Sequence, residues 1–198
     1  MIQNDFAFVD AHHHLWDLKA LHYAWLTDKP FEGHPSGDYS AIMRDYTAPD
    51  LIQAGKPVNL IKSVHIETAD GETDPVRETA WLQSVSDQYG FPNAIIARGE
   101  LMDDANERQL DRHGEYANFR GVRMLTFHGP DILGDAAFLR GFEGLRKRDL
   151  VFDMDADIAH TEKVVNLQSD LPMSGSSWGI AGFPSSAALN IFMLGAKA

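Results

Sequence analysis

Three consecutive histidines near the N-terminus are the side chains whose type and spacing point most directly to chemistry. They lie in the segment DAHHHLW at residues 10–16. On a β-strand, residues two apart share a face, so His12 and His14 point one way and His13 the other. Two imidazoles on one strand supply half of a catalytic zinc or manganese site. A hydrogen-bonded pair without metal, or a chance cluster, fits the same spacing.

A second apolar segment also carries polar groups on one face. His65 and Glu67 lie two residues apart in VHIE at residues 64–67. His65 is either a substrate-binding group or a hydrogen-bonded core histidine. Glu67 is harder to explain structurally, because an unpaired buried carboxylate is costly. We therefore predict a catalytic role for Glu67 together with His12 and His14.

Charged residues of two later segments are candidates for substrate binding. Arg123 lies in the apolar alternation of residues 119–127, and a guanidinium at a strand end suits a substrate carboxylate or a hydroxyl-rich lactone. Asp153 shares a face with Asp155 and either binds substrate or balances Arg123. His128 follows the first of these segments, and we interpret it as a loop residue rather than a lid contact.

Tryptophans near the histidines extend the candidate site. Trp16 lies on the same strand face as the pair of site histidines, and we expect it to line a sugar-sized pocket with Trp25. Trp81 falls on the apolar face of a helix, and we interpret it as packing.

The elements that must position these residues alternate along the chain. Short apolar runs predict strands buried on both faces, at residues 6–9, 60–66, 94–97, 119–127 and 150–154. Amphipathic stretches between and after them predict helices, at residues 75–89, 105–116, 136–148 and 160–171. Five alternations indicate right-handed βαβ units around a parallel sheet.

Two segments depart from this alternation. Residues 17–59 are rich in Pro and Gly and predict a long loop with one short helix at residues 49–55, which would lie over the mouth of a barrel. Residues 173–186 are rich in Gly and Ser without helical or strand periodicity, so no regular structure is predicted there.

Composition limits the classes of function. With a formal net charge of -12, the chain lacks the clustered Lys and Arg that nucleic acid or an anionic membrane surface would need. No cysteine is present, so a metal site would have to use His and carboxylates. Neither a signal peptide nor a membrane span is recognisable, and we expect a cytoplasmic protein that acts on a small molecule. The sequence leaves a homo-oligomer open.

Several segments, in order, resemble one known family. FVDAHHHLWD at residues 8–17 is similar to the opening of the amidohydrolase-related lactonases. This group of the amidohydrolase superfamily contains L-fuconolactonase-like and 2-pyrone-4,6-dicarboxylate lactonase-like enzymes. VHIE at residues 64–67 and DPVRET at residues 74–79 are similar to its second strand and helix. FRGVR at residues 119–123 resembles its fourth strand.

The resemblance implies an α/β fold of the (β/α)8 TIM-barrel type. Such a barrel typically needs about 250 residues, so this chain predicts an incomplete barrel with about five to six βα units. We expect one domain over residues 1–198, in which residues 6–170 match the family and residues 171–198 form an atypical tail.

The resemblance also implies roles for the site residues and for a metal. His12 and His14 become metal ligands or polarising hydrogen-bond donors, and some members of the family use a divalent metal. Ile180 stands where the family has histidine, and the acidic residue of the family's last strand has no counterpart. A third ligand is left open among residues outside the first strand, namely His65, Glu67, Asp153 and Asp155. We therefore expect weak or no binding of zinc or manganese, and less than one equivalent after dialysis.

Lactone hydrolysis is the first functional hypothesis that the resemblance supports. Water would attack the lactone carbonyl while the histidine pair stabilises the developing oxyanion, with or without a metal. A decarboxylase of the same superfamily is the alternative within enzymes. A non-catalytic remnant that keeps the pocket without turnover is the alternative outside them, because catalytic groups act as a unit.

Overall fold

The chain is divided into two compact units in its computed structural model. The first comprises Met1–Ala97 with Glu115–Phe119, and the second comprises Arg98–Gly114 with Arg120–Ala198. The structure describes residues 6–28, 37–124, 130–157, 176–182 and 188–195. His128 and the helix predicted at residues 160–171 lie outside the described residues.

Parallel strands form the sheet of the first unit: β1 (Phe8–His13), β2 (Leu60–Ile66) and β3 (Ala94–Arg98). β2 pairs in parallel with β1 and with β3. The bounds of β2 are those predicted, and β1 extends beyond its predicted end to the second of the three histidines. The histidines therefore stand at the carboxyl end of β1, where parallel α/β folds place their sites.

The helices of the first unit are α1 (Ala24–Thr27), α2 (Ala48–Gly55) and α3 (Val76–Tyr89). Residues 17–59 form the first connection, between β1 and β2, and the short helix expected there is confirmed as α2. It begins with a capping box, in which the Thr47 N–H and hydroxyl donate to Asp50 Oδ2 at 2.8 and 2.9 Å. α3 ends at Gly90, whose φ of 79° lies in the left-handed region that glycine adopts without strain.

Two clusters of buried side chains are described in the core of the first unit, and the first connection contributes many of their members. One is built from Leu15, Ala48, Leu51, Leu82 and Ile95, and the other from Trp16, Leu21, Tyr23, Leu26, Tyr39 and Ala69. Trp81 packs against both clusters, which confirms its predicted role in packing.

The second unit contains α4 (Asn106–His113), β4 (Phe119–Arg123), α5 (Ala136–Lys147) and β5 (Val151–Asp157). β4 and β5 pair in parallel. Three rings with centroids 5.7 to 6.0 Å apart form the core between α5 and β5, namely Phe138, Phe142 and Phe152. Over the residues that the structure describes, no helix is long and apolar enough to cross a membrane.

The end of the chain corrects one expectation. Residues 173–186 were predicted to lack regular structure, but β6 (Ser176–Gly182) lies within them and pairs antiparallel with β7 (Ala188–Gly195). β7 in turn pairs antiparallel with β5. The prediction is wrong because strand pairing is a contact between distant residues that local periodicity does not reveal. Ile180 lies in β6, opposite Ile191.

Candidate active site

An irregularity in β1 decides which histidines meet. Asp10 pairs with Ser63, and the next aligned pair is His13 with His65, so three steps on β1 oppose two on β2. An extra residue of this kind is a β-bulge, and it breaks the alternation of faces. The prediction that His13 lies on the opposite face from the site is therefore wrong, because the bulge brings it beside His65.

Four imidazole rings contact one another at the ends of β1 and β2. The ring centroids of His12 and His14 are 5.2 Å apart, and those of His14 and His65 are 6.1 Å apart. His13 lies 5.6 Å from His65. All three contacts are edge-to-face, an arrangement that aromatic rings favour. The structure thus brings together the histidines predicted from the sequence and adds His13 to them.

Two of these rings tie the ends of the strands together. His14 Nδ1 donates to the Ile66 carbonyl at 2.9 Å, and His65 Nε2 donates to the Leu15 carbonyl at 3.2 Å. Because a carbonyl only accepts, Nδ1 of His14 must carry a hydrogen, and in the neutral ring Nε2 then holds a lone pair. His14 is half-buried and His65 is fully buried. The site therefore contains an oriented imidazole that can accept a proton.

His13 is held neutral beside this pair. Its Nε2 lies 2.9 Å from the Ser63 hydroxyl, and the residue is 7% exposed. Burial lowers the pKa of His13 below 6.5, although the Asp10 carboxylate opposes the shift. The sequence offered no signal for this contact, since a bulge leaves no trace in the spacing of apolar residues.

Glu67 follows β2 directly and is 4% exposed. Its N–H donates to the Ile96 carbonyl at 2.8 Å. The next two N–H groups, those of Thr68 and Ala69, donate to Glu78 Oε1 at 2.9 and 3.1 Å. A second buried carboxylate thus fixes the loop that follows Glu67. The catalytic role of Glu67 stays a prediction.

The predicted aromatic lining is part of the packing of the first connection. Trp16 is 8% exposed and its indole N–H donates to the Arg44 carbonyl. Its ring packs edge-on against Trp25 with centroids 5.7 Å apart. Trp25 donates from Nε1 to the Thr68 carbonyl at 3.1 Å, which ties the first connection to the loop after β2. Contact of Trp16 with a substrate stays a prediction.

Arg123 and Asp153 belong to the second unit. They are aligned partners on β4 and β5, so their side chains share a face of the sheet. This register supports the interpretation that Asp153, which is fully buried, balances the charge of Arg123. The side chain of Asp155 lies outside the described residues. Grouping of these two residues with the histidines around one cavity stays a prediction.

The described residues do not compose a metal site. No group of three or more His, Asp or Glu side chains among them is arranged to hold a metal ion. His14 has the outer hydrogen bond that commonly orients a metal ligand, through Nδ1 to Ile66. His65 commits its Nε2 hydrogen to Leu15, which leaves only Nδ1 of that ring for a metal. Metal content stays a prediction.

The comparison with protein families is decisive for the class of protein. Residues 9–183 match the model of the family described as Amidohydrolase. The chain belongs to the amidohydrolase family. The match extends past residue 170, where the resemblance was expected to end, and includes β6.

Similar proteins fit this assignment. An uncharacterised protein, y4mH, of Sinorhizobium fredii (strain NBRC 101917 / NGR234) is 35% identical over 181 residues. The solved structure of an amidohydrolase from Burkholderia multivorans, with bound HEPES, has a TM-score of 0.63 at 22% identity over 82% of this chain. Amidohydrolase 2 from Bifidobacterium longum subsp. infantis has a TM-score of 0.58 at 20% identity over 84% of this chain. These likenesses show the fold, and the predicted incomplete (β/α)8 TIM barrel is confirmed.

A third solved structure carries a more specific name. A probable 2-pyrone-4,6-dicarboxylic acid hydrolase from Acinetobacter baumannii, with citric acid bound, has a TM-score of 0.59 at 12% identity. It matches 82% of this chain. The match to y4mH covers 85% of this chain and 60% of y4mH. The chain spans 58% of the Bifidobacterium structure, 53% of the Burkholderia structure and 54% of the Acinetobacter structure.

Proposed function

We propose that this amidohydrolase hydrolyses the C–O ester bond of a lactone, with a sugar lactone or a carboxylated lactone as substrate. The observation that carries the proposal is the oriented ring of His14. Its Nδ1 hydrogen is held by the Ile66 carbonyl at 2.9 Å, beside His12 and one strand away from the buried Glu67. This arrangement offers a proton acceptor, a second imidazole and a carboxylate at adjoining strand ends.

Each group has a role in ring opening. The lone pair on Nε2 of His14 accepts a proton from water as the water oxygen bonds to the lactone carbonyl carbon. His12 donates a hydrogen bond to the developing oxyanion. The C–O ester bond then breaks, and the His14 imidazolium returns the proton to the ring oxygen, which leaves as a hydroxyl. The product is a hydroxy acid, which ionises to the hydroxy-carboxylate and releases one proton to the solvent.

Glu67 and the other buried histidines support this chemistry. The Glu67 carboxylate accepts a hydrogen bond from the attacking water, and the hydrogen bonds of Glu78 to the following N–H groups hold its loop in place. His65 keeps the ends of β1 and β2 in register through Leu15. Preorganised groups of this kind lower the barrier because they need no rearrangement during reaction.

The substrate class rests on the resemblance of the sequence and on Arg123. A guanidinium on a strand end binds a carboxylate through paired hydrogen bonds. The name of the Acinetobacter baumannii structure, a probable 2-pyrone-4,6-dicarboxylic acid hydrolase, agrees with a carboxylated lactone. The identity of the lactone is the finer part of the proposal.

A substrate panel tests the proposal. Purified protein is incubated with 2-pyrone-4,6-dicarboxylate, with several sugar lactones and with p-nitrophenyl acetate as an unrelated ester. We expect ring opening of at least one lactone at a rate well above that for the ester. Proton release in a pH-stat measures this rate. Release of carbon dioxide without ring opening would favour a decarboxylase instead. Absence of turnover on every lactone would contradict the proposal and favour a non-catalytic chain.

A further inference from the structure

A cavity in the second unit lies outside every element used in the proposed chemistry. It has a volume of about 540 Å³, which falls within the size range of small-ligand sites. The loop after β3, the first turn of α4 and one face of α5 line it. The residues used below are Asp103, Asp104, Asn106, Arg140 and Gly141.

Asn106 is the feature of this cavity that points to a ligand. The residue is 3% exposed, and neither its Nδ2 nor its Oδ1 has a hydrogen-bond partner among the described residues. Buried side-chain amides are nearly always hydrogen-bonded, so an exception on the wall of a cavity calls for an explanation. An amide presents both a donor and an acceptor, which suits a ligand that carries hydroxyl groups.

Most of the acidic side chains around the cavity are engaged within the protein. Glu107 pairs with Arg148 at 2.5 Å, and Glu143 pairs with Arg146 through both oxygens at 2.6 and 2.7 Å. Asp103 accepts from the Ala105 N–H at 2.6 Å. These contacts leave the acidic side chains other than Asp104 engaged by the protein itself.

Two cations line the cavity, Lys147 and Arg140, and Arg140 is a group available for an anion. Among the described residues it has no ion pair, and it lies on the face of α5 that lines the cavity. α4 begins at Asn106 on the wall of the cavity, so its first turn adds a partial positive charge. Arg140 would bind a carboxylate, while Asn106 and Asp104 would bind hydroxyl groups.

One wall of this cavity is formed where the backbone of α5 packs closely against the loop after β3. A Cβ placed on Gly141 would lie 2.0 Å from the Leu101 carbonyl oxygen, so α5 rests directly on the loop after β3. Rigid walls reduce the ordering cost of binding. We propose that this cavity is a binding site for a small hydroxy-carboxylate of the sugar-acid class, separate from the histidine site of the first unit.

Binding of sodium gluconate, measured by isothermal titration calorimetry, tests the proposal, with sorbitol as the ligand that lacks the carboxylate. We expect gluconate to bind and sorbitol to bind at least about tenfold more weakly, since a charged hydrogen bond is involved.

Arg140→Gln should weaken gluconate binding at least about tenfold. Asn106→Ala should weaken it severalfold at an unchanged melting temperature, because its amide has no partner to lose. Arg108→Gln, an exposed change on α4 outside the cavity, is the matched control and should bind like the unaltered protein.

Several results would overturn the proposal. Gluconate binding that both Arg140→Gln and Asn106→Ala leave intact would place the ligand elsewhere, and loss of binding in His14→Asn alone would place it at the histidine site. Equal affinity for sorbitol would show that no carboxylate is recognised. Absence of gluconate binding at tens of millimolar would also refute it. None of these results depends on whether the chain opens lactones.

Discussion

Glu78 determines where the chain runs after β2. Its carboxylate is 3% exposed and accepts from two consecutive N–H groups, those of Thr68 and Ala69. Hydrogen bonds to a charged acceptor stabilise more than neutral ones, and loss of the acceptor leaves both donors buried. The position of the adjacent Glu67 therefore depends on a residue in the helix α3.

Replacement of Glu78 tests this dependence. Glu78→Ala should lower the free energy of unfolding by about 2 kcal/mol, because two buried N–H groups lose their acceptor. Urea unfolding followed by circular dichroism measures the change. Glu115→Ala removes an exposed carboxylate of the same unit and should change stability by less than about 0.5 kcal/mol. Equal effects of the two substitutions would show that Glu78 does not hold the loop.

His22 forms hydrogen bonds that tie the first connection to the loop after β2. Its N–H donates to Glu72 Oε1 at 2.8 Å, its Nδ1 donates to the Gly71 carbonyl at 3.2 Å, and its Nε2 lies 2.8 Å from Asp28 Oδ1. A ring that donates from both nitrogens is protonated. The hydrogen bond to Asp28, and next the one to Gly71, raise the pKa of His22 above 6.5.

This shift has a definite sign for the pH dependence. Because the pKa is raised, the contact of His22 with Asp28 stabilises the fold fully below pH 6.5, and this stabilisation is lost as the pH rises through the folded-state pKa. An NMR titration should give a pKa for His22 above 6.5, and Asp28→Asn should move it back toward that value. A pKa that Asp28→Asn leaves unchanged would contradict the assignment of Asp28 as the main cause.

Residue types alone predicted part of the candidate site. His12 and His14 were predicted from their spacing, and the structure places their rings 5.2 Å apart. His13 was assigned to the wrong face because the bulge in β1 depends on the register with β2, which no single segment encodes. The hydrogen bonds of His14 to Ile66 and of His65 to Leu15 could not be predicted from the sequence either, because each joins residues about fifty positions apart.

At the scale of elements, helices with local signals were predicted well. α5 was expected at residues 136–148 and is found at Ala136–Lys147. Its N-cap is Asp135, whose side chain accepts from the Ala137 N–H at 2.6 Å, a cap that the sequence itself specifies. β6 and β7 were not predicted, because β6 is held only by its pairing with β7, and β7 pairs with the distant β5, with which it has no common local pattern.

The packing of α5 on the loop after β3 requires glycine at one position. Gly141→Ala should destabilise the protein by about 2 kcal/mol, because the new methyl group would collide with the Leu101 carbonyl and the backbone cannot retreat easily. Thermal and urea unfolding measure the change.

Gly144→Ala is the matched control on the same helix. The nearest atom to its new Cβ would be Glu107 Oε1 at 3.0 Å, at the far end of a flexible side chain. Alanine also favours helix by up to about 1 kcal/mol over glycine. We expect this variant to be neutral or more stable, and a stable Gly141→Ala would show that the close approach is not required.

At the scale of the whole molecule, the chain belongs to the amidohydrolase family and spans 53% to 60% of the length of the relatives it matches. The carboxyl ends of β1 and β2 nevertheless carry a connected group of polar side chains, with His14 oriented by Ile66 and Glu67 almost fully buried. In the proposed chemistry His14 accepts a proton from the attacking water and then donates it to the leaving oxygen. Lactone opening would therefore depend on this one ring more than on any other residue.

The most direct test is the kcat/KM of His14→Asn for the lactone that the unaltered protein opens fastest. Loss of the proton acceptor should lower kcat/KM by at least about 100-fold. His113→Asn makes the same change at a buried histidine of the second unit and should keep most of the activity wherever it folds, as judged by circular dichroism. A His14→Asn protein that opens the lactone at the unaltered rate would contradict the assignment of the histidine cluster as the catalytic site.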